Sequence, residues 1–233
     1  MRQAVVLAAG KGIRMLPLTK YVPKPLVPIN GKPFLSYLLS HLEGAGYEKV
    51  FILVGHKKDR VEEFFEKNNF SFKTKFIHQE ERLGTGHAVG LARDYVEGNF
   101  VVLMGDNLYS KRDISSVNFE DDYNYIFALE HEQPQHFGVL NVEKDFLIEI
   151  EEKPSNPKSN LINAGFYKFT PEIFEALDKI EKSERGEYEL TSAIQLLAEE
   201  QKVKVEKLKD YFVDLGKYED IPKVQEFIKN NDL

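Results

Sequence analysis

Val5-Val6-Leu7-Ala8-Ala9-Gly10-Lys11-Gly12-Ile13-Arg14, followed by Pro17, Thr19 and Pro23-Lys24-Pro25, is the stretch on which the fold turns. Val5 to Leu7 form a short apolar strand. The two glycines directly after it let backbone N–H groups approach an anion without interference from Cβ atoms. Arg14 and Lys24 bring positive charge to the same strand end, so the stretch reads as a triphosphate cradle. A dinucleotide fingerprint would need a third glycine where Met15 stands, and an ATPase-type loop would need Gly-Lys followed by Ser or Thr. A plain strand-to-loop turn, with glycine used only for positive φ, is the other reading of Gly10 and Gly12.

Working outward, apolar β-rich runs at residues 4–7, 50–54, 75–77 and 100–104 alternate with helical patterns at 34–45, 59–67 and 86–95. This is the rhythm of βαβ units. It predicts an α/β, Rossmann-like, mainly parallel sheet flanked by helices, with ligands gathering outside the carboxyl ends of the strands. After Asp106 the pattern becomes β-rich, with strands expected at 125–130, 138–142, 147–151 and 164–169. Helices follow at 171–180 and 188–200, strands at 203–208 and 211–214, and a last helix at 218–229. No internal repeat or long linker interrupts the chain. The expectation is a single domain over 1–233, with a nucleotide-binding half at about 1–110 and a β-rich sugar-binding half at about 111–233.

The 233 residues carry a net charge of −7, which argues against a broad nucleic-acid surface, so an anionic substrate calls for a local basic pocket. No apolar run approaches the length of a membrane span. The chain contains no cysteine, and its first residues, Met1-Arg2-Gln3, lack the apolar segment of a signal peptide. A cytoplasmic protein is therefore expected.

Several residues carry potential chemistry. Asp106, in Gly105-Asp106-Asn107, would project from the tip of a strand and suits Mg²⁺, which prefers carboxylate and phosphate oxygens; an Asx turn is the alternative. Asp214, in Val213-Asp214-Leu215-Gly216, offers a second carboxylate. Glu151-Glu152-Lys153-Pro154 either presents Lys153 to a phosphate monoester and Glu152 to hydroxyls, or forms a solvated charged turn. Asn163-Ala164-Gly165 suits a sugar ring, or is simply an Asn turn opening a strand. Gly138 marks a β-bulge or a ligand lying on backbone. Gln79 and Thr85 match the edge of a pyrimidine, with Gly84 allowing a base to approach; Thr85 as a helix N-cap is the plainer account.

Taken in order, these segments resemble the sugar-1-phosphate nucleotidylyltransferases, also called nucleoside-diphosphate-sugar pyrophosphorylases, over most of the chain. The family pattern Ala-Gly-Gly-x-Gly-Thr-Arg, Pro-x-Thr, Pro-Lys appears as Ala8-Ala9-Gly10-Lys11-Gly12-Ile13-Arg14, Pro17-Leu18-Thr19 and Pro23-Lys24. The resemblance implies an EC 2.7.7 nucleotidyltransferase of nucleotide-sugar biosynthesis. Arg14, Lys24 and Lys153 would be catalytic. Leu7, Ala8, Ala9, Gly10, Gly12, Arg14, Lys24, Gln79, Gly84 and Thr85 would bind nucleotide. Gly138, Glu152, Lys153 and Asn163 would bind sugar, and Asp106 and Asp214 would hold Mg²⁺. Ile13 replaces the family's usual threonine, and tolerance is expected. An end at Leu233 would leave no room for the hexapeptide-repeat domain of longer relatives.

Leu83-Gly84-Thr85-Gly86-His87-Ala88 looks like the uracil-reading segment of N-acetylglucosamine-1-phosphate uridylyltransferases. Glu-Lys-Pro and Asn-Ala-Gly look more like the glucose-1-phosphate uridylyl and thymidylyl branches. The expected substrates are UTP or dTTP with glucose 1-phosphate. N-acetylglucosamine 1-phosphate, or CTP with phosphocholine, are alternatives, and a non-catalytic nucleotide-sugar-binding regulatory subunit is a reading of another class. No nucleic-acid or membrane partner is expected, and a homo-oligomer stays open.

Overall fold

A computed structural model describes all residues, Met1–Leu233. In chain order the elements begin with β1 (Gln3–Ala8), β2 (Pro28–Ile29), β3 (Lys32–Pro33), α1 (Phe34–Gly44), β4 (Lys49–Val54), α2 (Lys58–Glu66) and β5 (Lys73–His78). Next come α3 (Thr85–Gly90), β6 (Phe100–Met104), β7 (Asn107–Tyr109), α4 (Lys111–Ser115), β8 (Asn124–Glu130), β9 (Gly138–Glu143) and β10 (Phe146–Glu152). The chain closes with β11 (Leu161–Phe169), α5 (Glu172–Leu177), α6 (Leu190–Glu199), β12 (Val203–Lys207), β13 (Phe212–Asp214) and α7 (Ile221–Asn230). No helix is long and apolar enough to cross a membrane.

The chain divides into two compact units that interleave in sequence: 1–80 with 104–117 and 210–233, and 81–103 with 118–209. This corrects the sequential division at about residue 110. Residues 81–103 belong with the β-rich half, and the last segment of the chain returns to the first unit.

The first unit contains the parallel order β5-β4-β1, with Val5 opposite Phe51 and Phe51 opposite Lys75. Every residue of β1 is buried, as a strand covered on both faces requires. Helix α1 buries Phe34, Leu35, Leu38, Leu39 and Leu42. That stripe follows the helical period, and each fully buried leucine contributes about 2 kcal/mol. The helix stops where the chain turns at Gly46, whose N–H donates to Glu43 O at 3.0 Å with φ +75°.

The second unit has the order β6-β11-β8-β12-β10-β9, mostly antiparallel, with β12 parallel to β8. The mixed sheet, expected from the sequence to be mainly parallel, is parallel in one unit and largely antiparallel in the other. Phe127 and Phe166 stack at 4.1 Å between ring centroids on neighbouring strands. Strand β11 begins at Leu161, earlier than the sequence pattern indicates. Its register against β8 shifts between Asn163 and Tyr167, where Gly165 adopts φ +67°. Asn163 therefore sits inside the strand at an irregularity, and does not open the strand.

Candidate active site

In the first unit, β1 delivers Leu7, Ala8 and Ala9 as buried residues, and the chain emerges to solvent at Gly10. Three short 3₁₀ turns follow, Ile13–Met15, Leu18–Lys20 and Lys24–Leu26. Gly12 precedes the first with φ +62°, and a Cβ there would fall 2.8 Å from the Cβ of Lys24 and 2.9 Å from Cγ2 of Thr19. Glycine is required twice over, by backbone conformation and by space. The Thr19 hydroxyl donates to Gly12 O at 2.8 Å, which explains the threonine of Pro-x-Thr as a brace inside the loop. Ile13, at 68% exposure, lies outside the core.

Lys24 is buried, and its ammonium pairs with the Asp106 carboxylate. Gly105, just before Asp106, donates its N–H to Leu7 O at 2.9 Å, so this carboxylate is tied to the end of β1. Asp214 arrives from far along the chain: β13 pairs antiparallel with β7, placing Asp214 opposite Asn107, and Leu215 N–H donates to Asp106 O at 3.0 Å. In the orientation that satisfies its neighbours, the Asn107 amide donates to Asp214 Oδ1 at 3.0 Å.

Burial raises the Asp214 carboxyl to about 6, with the negative charge of Asp106 adding to the effect and Lys24 opposing it. Asp220 raises it further and the Arg14 charge lowers it. Two carboxylates that repel each other, Asp106 partly exposed and Asp214 open to solvent, form a hard-oxygen donor set suited to a divalent cation. No three acidic or histidine side chains converge into a closed metal cage. Mg²⁺ would therefore take the rest of its coordination from water and phosphate oxygens, as it commonly does. Gln79, directly after β5, is buried, and its N–H donates to Val54 O at 2.8 Å.

In the second unit, Gly138 at the start of β9 stands opposite Glu152 at the end of β10, and the Ile162–Val139 pair brings β11 alongside β9. Gly138, Glu152, Lys153 and Asn163 are thereby gathered at one end of three strands. The register irregularity of β10 lies between Leu147 and Glu149, so Gly138 is not a bulge. Lys153 adopts φ +48° with its N–H bonded to Phe137 O at 3.0 Å, and its ammonium lies 3.7 Å from Glu152 Oε1. Both side chains are about half exposed, at 57% and 46%, and free to meet a ligand. Asn163 donates to the Tyr167 hydroxyl at 2.8 Å and accepts from Gly165 N–H at 2.8 Å.

Glu152 also lines a cavity of about 490 Å³ with Arg185, Glu189, Thr191 and Gln195. Arg185 Nη2 donates to Glu189 Oε1 at 2.9 Å, as does the Ser183 hydroxyl at 2.9 Å. Sequence reasoning missed this arginine. The signal was an Arg185-Gly186-Glu187 turn opening a helix, which looks like any charged loop.

The Gly84 and Thr85 expectations change. Gly84 has φ +102°, and a Cβ there would lie 2.4 Å from Tyr188 O, so the chain needs glycine to dock against its own backbone, whatever approaches from outside. Thr85 is the first residue of α3 and makes no N-cap. Its hydroxyl accepts from Leu190 N–H at 3.2 Å, a partner more than a hundred residues away.

Comparison with known proteins agrees with this geometry. The nucleotidyl transferase family matches residues 3–231. The chain is 42% identical over 233 residues to the bifunctional protein GlmU of Methanocaldococcus jannaschii, covering 97% of this chain and 54% of that protein. It is 38% identical over 202 residues to the UTP–glucose-1-phosphate uridylyltransferase AglF of Haloferax volcanii, covering 84% and 83%. The chain thus spans about half the length of the GlmU relatives. A UDP-glucose pyrophosphorylase solved with UDP-glucose superimposes with TM-score 0.88 at 24% identity, covering 99% of both chains, and shows the same fold. With a family match running almost end to end on a strand, glycine loop and paired carboxylates, the chain belongs to the nucleotidyl transferases, among the sugar-1-phosphate nucleotidylyltransferases.

Proposed function

We propose that the protein transfers a nucleotidyl group from UTP or dTTP to a sugar 1-phosphate, releasing pyrophosphate. The observation that carries this reading is the meeting of Lys24, Asp106 and Asp214 beside the Gly10–Gly12 loop, one ammonium and two carboxylates at the end of a buried strand. A phosphate oxygen of the sugar 1-phosphate attacks the α-phosphorus of the triphosphate in line. The bond from that phosphorus to the bridging oxygen breaks, and pyrophosphate leaves with the electron pair. Neither a protein nucleophile nor a proton acceptor is required, because the attacking oxygen is already anionic.

The work of the chain is positioning and charge stabilisation. Arg14 and Lys24 act on the triphosphate, whose charge grows on the leaving pyrophosphate. Mg²⁺, held by Asp106 and Asp214, would neutralise phosphate oxygens. Lys153 holds the sugar phosphate, Glu152 and Asn163 take sugar hydroxyls, and Gly138 keeps the approach open. Gln79, Gly84 and Thr85 face the base. Glucose 1-phosphate is the leading acceptor, supported by the AglF relative. N-acetylglucosamine 1-phosphate is a second reading, favoured by the Leu83 to Ala88 segment.

The test is a pyrophosphate-release screen of UTP, dTTP, CTP, ATP and GTP against glucose 1-phosphate, N-acetylglucosamine 1-phosphate and phosphocholine with Mg²⁺. The largest kcat/KM is expected for a uridine or thymidine triphosphate with glucose 1-phosphate. Absence of turnover with every pair would overturn catalysis in favour of a binding subunit. Asp106→Asn, folded by circular dichroism, should lose about a hundredfold or more in kcat.

A further inference from the structure

The glycine loop is held by very little apolar packing. Between Gly10 and Tyr21 only Met15 and Thr19 are buried, while Ile13, Leu16 and Tyr21 are exposed by half or more. Its conformation must therefore come from polar ties. Thr19 supplies one from inside the loop, to Gly12 O at 2.8 Å.

Beyond the hydrogen bonds of the loop's own 3₁₀ turns, further ties come from the turn between β4 and α2. His56 N–H donates to Ala9 O at 3.3 Å, where the loop begins, and the Lys57 ammonium donates to Thr19 O at 3.0 Å and to Lys20 O, where it ends. Lys57 spans from the same turn to the residue whose hydroxyl holds Gly12. Lys57 also occupies left-handed backbone, φ +57° and ψ +39°, at the N-cap of α2. Glycine or asparagine would sit there with less strain, and no side chain caps the helix, so the backbone gives no reason for lysine. The reason lies at the far end of the side chain, on the two carbonyls.

We propose that Lys57 is a positioning residue for the triphosphate loop: its ammonium clamps the Thr19 and Lys20 carbonyls and, through Thr19, fixes Gly12 against Lys24. The inference rests on the reading of Gly10 to Lys24 as the nucleotide phosphate site. A loop fixed before binding has no ordering cost left to meet when the triphosphate arrives, so losing the clamp should weaken nucleotide binding more than the chemical step.

Three variants separate the clamp from the backbone. Lys57→Gly removes the donors and relieves the left-handed strain, Lys57→Met removes the donors and keeps the strain, and Lys57→Arg keeps both. Hydrogen–deuterium exchange over residues 12–22 reads the loop directly, and steady-state kinetics read its use. Lys57→Gly and Lys57→Met should both exchange faster by about tenfold and raise KM for the triphosphate by about fivefold or more. KM for the sugar phosphate and kcat should stay within about twofold, and Lys57→Arg should restore both readouts.

Unchanged exchange and KM in Gly and Met, or a defect in Met that Gly corrects, would overturn the proposal. If the wild-type protein turned over no substrate pair, the assigned function would fall. The exchange arm, run without nucleotide, would still decide whether Lys57 orders the loop.

Discussion

Two buried lysines, one in each unit, look alike in sequence and differ in what surrounds the ammonium. Lys168 on β11 is wholly buried and fully satisfied: it donates to Asp121 O at 2.7 Å, Tyr123 O at 2.7 Å and Asp121 Oδ1 at 2.9 Å, and lies 5.5 Å from the centre of the Tyr125 ring. Lys24 in the first unit meets one carboxylate, that of Asp106, and its other N–H bonds are uncommitted. An ammonium has three donors. Where all three are used by the fold, the group is structural; where two remain, the charge is available to a ligand. The difference lies in saturation, since both side chains are nearly inaccessible, at 0% and 8%.

Exchanging the two lysines for methionine should give opposite phenotypes. The larger effect is expected in Lys24→Met, with kcat/KM lowered about a hundred- to a thousandfold, some 3–4 kcal/mol of transition-state stabilisation. Its denaturation midpoint should move little, because the released Asp106 is partly exposed. Equal activity in the two variants would break the comparison.

Lys168→Met should cost about 2 kcal/mol in urea denaturation, since two carbonyls and a carboxylate lose a buried donor. The figure stands below the range for fully buried pairs because the Asp121 side chain is 27% exposed. Kinetic constants of the folded fraction should remain those of the wild type. A kinetic defect without a stability loss would assign Lys168 to the site.

The smallest effect is in pH. Burial tends to raise the Asp121 carboxyl, but hydrogen bonds from Tyr125 and Lys168, with the Lys168 charge, outweigh it and leave it below its ordinary value. A carboxyl depressed in the folded state stabilises above its unfolded pKa, about 3.9, and the contribution is lost as pH falls through the folded value. Asp121→Asn should flatten that part of the acid limb in denaturation measured between pH 5 and 2. An unchanged slope would show that the Lys168 cluster does not depend on this charge.

The two lysines also show where sequence reading succeeds. Lys24 was visible because its partners in meaning, Gly12, Arg14 and Pro23, lie within a dozen residues, where short-range geometry leaves a pattern. The parallel βαβ rhythm was visible for the same reason. Lys168 left no mark, because its ligands come from a loop nearly fifty residues away. The meeting of Asp106 with Asp214 could be named only through family resemblance, since it is created by the pairing of β7 with β13 across about a hundred residues. Gly84 was legible as special, but its close approach to Tyr188, another long-range partner, was not. Lys57 was invisible because left-handed backbone at a lysine has no sequence signature.

The interleaving of the units has a consequence for the order in which the chain is made. The first carboxylate and the glycine loop emerge early, whereas Asp214 belongs to the final segment, after the whole of the second unit has been synthesised. A chain extended only through the second unit carries Lys24 and Asp106 but not Asp214. Asp214 joins Asp106 only through the pairing of β13 with β7, so a chain cut before β13 would lack the second carboxylate.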